Sequence, residues 1–228
     1  GSYLVSNSAT IFSSLYYFNG PTVNGSFRKI ELIRGGEKIT SIDLYPYFLE
    51  GKEKGDMPLQ RNDVVFIPPR GKTVSVVGEI TRPAIYEVVD KEDLYDLIQI
   101  AGGVLSTTYM KRVQIDRIIP FAEREEKNMD RTIIDIYLSE ILSKKNSFKL
   151  NDGDILTFFS IADTKSNFVT LNGPVNRPGI YDLGSGLVVR KLIENADGIL
   201  GDAYLKRAEI IRQKEDLTTE LIKFDLYE

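Results

Sequence analysis

Residues 74–88 read VSVVGEITRPAIYEV, and the same pattern returns 95 places later as VTLNGPVNRPGIYDL, residues 169–183. The β-branched and aromatic residues on either side of the centre predict two strands. The Arg-Pro pair between them predicts a turn, because proline presets φ and removes a donor that a strand ladder would need. Each stretch is therefore predicted to form a β-hairpin.

The duplication extends well beyond the hairpin. Between residues 74–117 and 169–212, 16 of 44 aligned positions are identical and no gap is needed. Residues 12–32 follow the same plan of helix, glycine break and strand, without the hairpin. We therefore predict three copies of one unit. They are placed at residues 3–69, which lack the opening hairpin, at 73–161, which are complete, and at 168–228, which lack the closing strand.

The complete copy shows one main helix among its strands. Asp93 is a suitable N-cap, the apolar residues that follow recur at helical spacing, and Gly102-Gly103 ends the pattern. Further strands are predicted at 113–118, 132–136 and 155–159, with a polar excursion after the first and a short helical segment at 137–142. This order predicts an α+β fold of tandem β-grasp domains, each a mixed sheet packed on one main helix.

These motifs resemble those of the soluble-ligand-binding β-grasp (SLBB) family. The resemblance rests on G-x-(V/I)-x-R-P-x-x-Y, on the helix ending in A-G-G or A-D-G, and on the strand that begins with Lys-Arg. Tandem SLBB copies are typical of the outer-membrane polysaccharide export family, where they stack in the periplasmic body of a ring-shaped translocon. Respiratory-complex subunits, cobalamin-related proteins and DNA-uptake receptors also carry the module.

The resemblance implies a non-enzymatic periplasmic segment of a capsular or exopolysaccharide export protein, in a parent associated with the outer membrane. Its expected partners are a polysaccharide, acidic or neutral, further copies of the chain in a homo-oligomeric ring, and the inner-membrane export machinery. The alternative is a soluble small-ligand or sugar-binding module that is not tied to an export ring.

Composition narrows the possible chemistry. The chain has 29 Lys or Arg and 33 Asp or Glu residues, a net charge of −4, and no His, Cys or Trp. These absences exclude His- or Cys-based catalysis, His-liganded metal sites, zinc ribbons and disulfides. The acidic balance argues against a general nucleic-acid binder, and no apolar run approaches the ~18 residues of a membrane-spanning helix. No carboxylate spacing singles out an acid and a base, so we expect no catalytic residue. We also expect no cofactor and no metal.

Two residue types recur at equivalent hairpin positions. Arg82 and Arg177 stand beside proline at the predicted tips, where a guanidinium can bind sugar hydroxyls, uronic-acid carboxylates or a neighbouring subunit, or can simply be a solvated turn residue. Tyr86 and Tyr181 follow at a fixed spacing. They are candidates for stacking on sugar rings, or half-buried strand residues whose hydroxyl is satisfied by a hydrogen bond.

A Lys/Arg pair recurs at the start of the third strand in every copy, as Arg28-Lys29, Lys111-Arg112 and Lys206-Arg207. Such pairs suit an acidic polysaccharide, or they protect a strand edge from pairing. Separately, Asp152-Gly153-Asp154 offers two carboxylates at a turn before the last strand. Without further oxygen ligands this motif favours a turn over a divalent-cation site.

Overall fold

The computed structural model describes residues 1–52, 54–127, 129–144, 146–214 and 216–227, without the side chains of 125–127. The chain divides into two units, unit 1 at 1–161 and unit 2 at 162–228. In this described part of the chain, no helix is long and apolar enough to cross a membrane.

Unit 1 begins with a short helix packed on a three-stranded antiparallel sheet of order β2-β1-β3. Its elements are α1 (Ile11–Ser14), a 3-10 turn (Leu15–Phe18), β1 (Ile30–Arg34), β2 (Glu37–Ile42), α2 (Tyr45–Glu50) and β3 (Val64–Phe66). Thr10 starts α1 with a reciprocal capping box to Ser13. Ile11, Ile30 and Leu32 are fully buried between helix and sheet.

The second half of unit 1 contains a five-stranded sheet of order β5-β4-β8-β6-β7. Its elements are β4 (Thr73–Gly78), β5 (Ala84–Glu87), α3 (Leu94–Ile100), β6 (Thr108–Ile118), α4 (Phe121–Lys127), β7 (Arg131–Ile136), α5 (Leu138–Leu142) and β8 (Ile155–Ser160). The predicted hairpin is thus confirmed as β4 and β5, which pair antiparallel.

The closing strand β8 lies in the centre of this sheet, not at its edge. It pairs parallel with β4 and antiparallel with β6, and its side chains Leu156 and Phe158 are buried in the core. At the end of β4, Gly78 has a φ of +90°, and a Cβ atom there would lie 2.0 Å from the carbonyl oxygen of Phe158. Only glycine allows the two backbones to approach so closely.

Helix α3 forms for the reasons that its sequence predicts. The carboxylate of Asp93 accepts a hydrogen bond from the Asp96 N–H, and that of Asp96 accepts one from the Asp93 N–H. The helical spacing buries one face: Leu94, Leu97, Ile98 and Ala101 are at most 1% exposed. Gly102 and Gly103 follow with φ near +85°, which ends the helix in the left-handed conformation.

Two predictions for this copy need correction. Strand β6 begins at Thr108 and not at 113, because Thr108 pairs with Ser160 before an irregularity and the ladder resumes at Val113. The polar excursion that follows contains a helix, α4, which the charged composition of residues 121–127 did not suggest.

Unit 2 contains two separate two-stranded antiparallel sheets, β10-β9 and β11-β12. Its elements are β9 (Phe168–Leu171), β10 (Gly179–Asp182), α6 (Val189–Asn195), β11 (Ala208–Gln213) and β12 (Thr219–Phe224). Val175, Leu192 and Ala196 are its buried apolar residues. By the 95-residue offset, β9 corresponds to β4 and β11 to β6.

These sheets and helices confirm the predicted fold class of tandem β-grasp domains. The order β2-β1-β3 repeats the order β7-β6-β8, and the two hairpins of unit 2 repeat β5-β4 and β6-β7. The division into copies at 3–69, 73–161 and 168–228 remains a prediction from sequence.

Candidate functional site

An open cleft of about 620 Å³ lies in unit 1, where α2 approaches the β4–β5 hairpin and α3. One wall comes from the first predicted copy and the other from the second. The cleft is mixed polar and apolar, and is lined by Leu49, Glu50, Arg82, Lys91, Glu92, Asp96, Gln99, Ile100 and Gly102. Arg82 is the one residue of the sequence-predicted set in this lining.

The tip of the β4–β5 hairpin holds Arg82 over the C-terminal end of α3. Its Nη2 donates to the carbonyl of Ile100 at 2.9 Å, and the Thr81 hydroxyl donates to the carbonyl of Gly103 at 2.8 Å. The helix terminus carries partial negative charge and favours a cation there. Arg82 pairs with no carboxylate in the described part of the chain, so its guanidinium can take an anionic or hydroxylated ligand.

The walls of the cleft are joined by two carboxylates, one buried and one half-buried, that sequence reasoning did not single out. The first, Glu87, is 9% exposed and accepts hydrogen bonds from the Ser26 hydroxyl at 2.8 Å, the Phe27 N–H at 3.0 Å and the Gly71 N–H at 2.8 Å. Its own N–H donates to the Tyr45 hydroxyl oxygen at 2.8 Å. Burial raises the pKa of that hydroxyl.

The second carboxylate, Glu92, forms a bidentate pair with Arg28 at 2.6 and 2.7 Å. The same guanidinium donates to Asp43 at 2.9 and 3.0 Å and lies 4.3 Å from the centre of the Tyr45 ring. Its side chain is only 7% exposed. Arg28 is therefore not the strand-edge decoration that its Lys/Arg motif allowed; its buried ion pairs join the segment before β1 to the segment before α3.

Both hairpin tyrosines brace the tip that carries the arginine. The Tyr86 hydroxyl donates to the carbonyl of Arg82 at 2.5 Å, and the Tyr181 hydroxyl donates to the carbonyl of Arg177. Burial raises the pKa of the Tyr86 hydroxyl, against the opposing effect of the Arg82 charge. Both rings are half-buried, as the hydrogen-bonded alternative expects.

The segments that contain the repeated hairpin, helix and Lys-Arg strand match the sequence model of a known family. The sequence model of the SLBB domain matches residues 73–131 and 168–222, together half of the chain. The chain belongs to the SLBB domain family. No curated protein matches it. SLBB is a binding domain and not a catalytic one.

We expect Tyr86→Phe to lower the free energy of unfolding of this SLBB chain by about 1 kcal/mol, the net value of one hydrogen bond. Denaturant unfolding followed by circular dichroism measures the change. Tyr95→Phe is the matched control, because the Tyr95 hydroxyl makes no hydrogen bond among the described residues; its effect is expected within about 0.5 kcal/mol. Equal losses in the two variants would contradict the bracing role.

The second SLBB hairpin places its arginine differently. Arg177 Nε lies 2.5 Å from the carboxylate of Asp197, and the two side chains are 74% and 58% exposed. Asp197 stands where the first matched segment has Gly102. The two arginines therefore occupy equivalent positions but differ in their capacity to bind a ligand, since Arg177 is paired with Asp197 and Arg82 has no carboxylate partner among the described residues.

In each of the two remaining Lys/Arg pairs, the arginine forms an ion pair within the protein and, among the described residues, the lysine does not. Arg112 pairs with Asp135 at 2.9 Å and covers the Phe159 ring at 4.7 Å, and Arg207 pairs with Glu209 at 2.7 Å. Lys111 and Lys206 are exposed and have no ion pair in the part of the chain that is described. The structure does not bring these pairs into the cleft.

The turn before β8 uses both of its carboxylates within the protein. Asp154 is fully buried and forms a bidentate pair with Arg117 at 2.7 and 3.0 Å, and Asp152 accepts from the Thr73 N–H at 2.7 Å. The same pairing precedes β3, where hydrogen bonds from Arg34 hold the pKa of Asp63 below its usual range. The arginine–aspartate pair thus occurs before both β3 and β8, and in each case the two residues are too far apart in sequence for a local motif to reveal it.

Proposed function

We propose that this SLBB chain is a non-enzymatic segment of a capsular or exopolysaccharide export protein and contacts the glycan through the cleft of unit 1. In this proposal it works in the periplasm, in a parent associated with the outer membrane. Further copies of the chain form a homo-oligomeric ring with it, and the inner-membrane export machinery supplies the polymer. The family membership and the tandem arrangement of the domains support this proposal.

The observation that carries the proposal is the chemistry of the cleft lining. Arg82 and Lys91 present cations, while Asp96 and Gln99 present oxygen and amide groups, around a space of about 620 Å³ that is open to solvent. Sugars and uronic acids need this mixture of donors and acceptors, and carboxylates favour arginine because two parallel hydrogen bonds can form. Apolar Leu49 and Ile100 can contact the C–H faces of a sugar ring.

The carboxylates of the cleft support binding over hydrolysis. Glu92 is held by Arg28, Asp96 closes the capping box of α3, and Glu50 contacts Lys52 at 2.5 Å. Glycoside hydrolysis needs one free carboxyl acid and one carboxylate on opposite sides of the bond. Because each acid of the lining already serves the protein, a binding role fits the cleft better.

The test is a titration of the whole chain with a galacturonate hexamer, with maltohexaose as the neutral probe. Saturable binding of the acidic probe is expected by calorimetry, and Arg82→Ala should weaken it about tenfold, the equivalent of losing one charge-assisted contact. Arg177→Ala is the control, since Asp197 already engages that guanidinium.

Two outcomes decide against the glycan site. Absence of saturable binding to either hexamer would contradict it, as would equal losses from Arg82→Ala and Arg177→Ala. Tight binding of a monosaccharide together with no gain from chain length would favour the alternative, a small-ligand module independent of an export ring, because a polymer path should reward additional sugar units.

A further inference from the structure

Five aromatic side chains form a continuous strip at the surface of the first half of unit 1. The centres of neighbouring rings lie 4.2 to 6.3 Å apart, and in order of contact the aromatic strip consists of Tyr16, Phe12, Tyr47, Phe48 and Phe27. Tyr16 is 74% exposed and Phe48 is 55% exposed. Single exposed rings are ordinary on a protein surface, but a contiguous row of them marks a binding surface.

The centre of the aromatic strip is fixed by the backbone beneath it. The Phe12 N–H donates to the Asp56 carboxylate at 2.9 Å, and the N–H of the preceding Ile11 donates to the carbonyl of Met57 at 3.0 Å. The Phe12 and Tyr47 rings have the shortest centre-to-centre distance in the strip, 4.2 Å. A surface that is already ordered loses little conformational entropy when a ligand binds.

A small hollow beside these two rings carries polar groups. Its volume is about 10 Å³, which is close to the space of one water molecule. Two cations and two carboxylates line it and leave it without net charge: Lys52, Lys54, Asp43 and Asp56. A sugar hydroxyl fits a space of this size and polarity, whereas the apolar side chain of a partner protein does not.

Several polar atoms around the strip are free to bind that hydroxyl. Among the described residues, Lys54 forms no ion pair, and the Asp56 oxygen that does not bind Phe12 accepts no hydrogen bond. The hydroxyls of Tyr16 and Tyr47 also make no hydrogen bond in the described part of the chain. The strip therefore combines aromatic faces, which can contact the C–H groups of a sugar, with unpaired donors and acceptors.

The tilt of the rings selects the shape of the ligand. The planes of neighbouring rings differ by 52° between Phe12 and Tyr47, and by 69° between Tyr47 and Phe48. A flat polymer, such as a β-1,4-linked glucan, cannot lie on two such faces at once. A curled α-1,4-linked chain turns the face of each sugar relative to the next one, and can follow the strip.

We propose that the aromatic strip is a second carbohydrate-binding surface, which takes a neutral, curled hexose polymer. Sugar rings stack on the exposed Tyr16 and Phe48, and one hydroxyl enters the hollow between Lys54 and Asp56. The inference rests on the proposed function only for the class of ligand, a glycan. The strip has no residue in common with the cleft lining, although α2 contributes to both.

The test is a calorimetric titration of the whole chain with maltohexaose and, separately, with cellohexaose. Saturable binding of maltohexaose is expected, with cellohexaose at least about fivefold weaker. Tyr16→Ala and Phe48→Ala should each weaken maltohexaose about fivefold, because each removes one stacking face. Tyr204→Ala is the matched control, since it removes a tyrosine of unit 2 that is 71% exposed, and should leave the affinity unchanged.

A second measurement on the unmodified chain does not depend on the folding of a variant. In saturation-transfer NMR, irradiation of the aromatic protons of the protein should transfer most strongly to the C–H protons on one face of the bound maltohexaose. Absence of this transfer, unchanged maltohexaose affinity in both strip variants, or equal affinity for cellohexaose would overturn the proposal.

Arg82→Ala separates the strip from the cleft. It should leave maltohexaose affinity unchanged, and Tyr16→Ala should leave the affinity for the galacturonate hexamer unchanged. If Arg82→Ala weakens maltohexaose and the strip variants do not, the strip proposal is wrong and the cleft proposal stands. If no sugar binds and Phe48→Ala abolishes self-association in sedimentation experiments, the strip is a contact between copies of the chain, which also overturns the proposal.

Discussion

Gly78→Ala is expected to disrupt the five-stranded sheet and to cost at least about 4 kcal/mol of unfolding free energy. The new Cβ atom would lie 2.0 Å from the Phe158 carbonyl oxygen and 3.0 Å from its carbonyl carbon, both backbone atoms of the central strand. No rotation of a side chain can relieve this contact. Strand β4 must separate from β8, which also exposes the core that Leu156 and Phe158 fill.

Gly173→Ala is the matched control for that variant. Its φ of +114° is unfavourable for alanine, but no atom lies within 4 Å of the added methyl group. Only the backbone strain remains, about 1–3 kcal/mol. Denaturant unfolding and hydrogen exchange at β4 and β8 measure the difference. If the two substitutions cost the same, strain alone explains both and the strand contact at Gly78 contributes nothing.

The second large effect is expected at Arg28. Arg28→Ala should lower the stability of unit 1 by about 3 kcal/mol, because it leaves Glu92 and Asp43 without their cation in a partly buried site. Arg28→Lys should recover only part of that loss, since an ammonium cannot reproduce the bidentate bonds to Glu92 or lie flat on the Tyr45 ring.

Lys29→Ala provides the control at the adjacent position. Lys29 is 64% exposed and 4.0 Å from Glu31, so its removal should change stability by less than about 0.5 kcal/mol. Calorimetric unfolding of the three variants tests the assignment. The cleft adds a second readout: if Arg28 and Glu87 hold its two walls, Arg28→Ala should also weaken the galacturonate hexamer. If Arg28→Ala is destabilised but binds the hexamer with unchanged affinity, then Arg28 stabilises unit 1 without shaping the cleft for its ligand.

Local patterns predicted the hairpin and the helix correctly because each is decided by near neighbours. Arg82-Pro83 specifies the turn, and the capping box of Asp93 and Asp96 begins α3. The β6 start and helix α4 were missed, since Thr108 is a strand residue only through its pairing with Ser160, and α4 has no apolar periodicity in sequence. Long-range partners decide such boundaries.

The residues of the candidate site also fall into those that a local pattern identifies and those that only long-range partners identify. The sequence identified Arg82 through its repetition, but the same repetition also selected Arg177, which an ion pair to Asp197 occupies. Glu87 lies within the repeated hairpin and Glu92 just before α3, but nothing in the local pattern marks either one; their role depends on Ser26, Phe27 and Arg28, which bind them from a distant part of the chain. The role of a carboxylate depends on the groups that bind it, and these are not visible in its own sequence neighbours.

The sequence by itself determined the repeat, the fold class and the absence of His and Cys chemistry, because these are properties of residue type and spacing. Only the tertiary structure decided which equivalent residues are equivalent in function. Arg117 and Arg212 are identical in the alignment, but one binds Asp154 beside a central strand and the other has no carboxylate partner in the described structure. Burial and partners come from distant parts of the chain, and a local pattern cannot contain them.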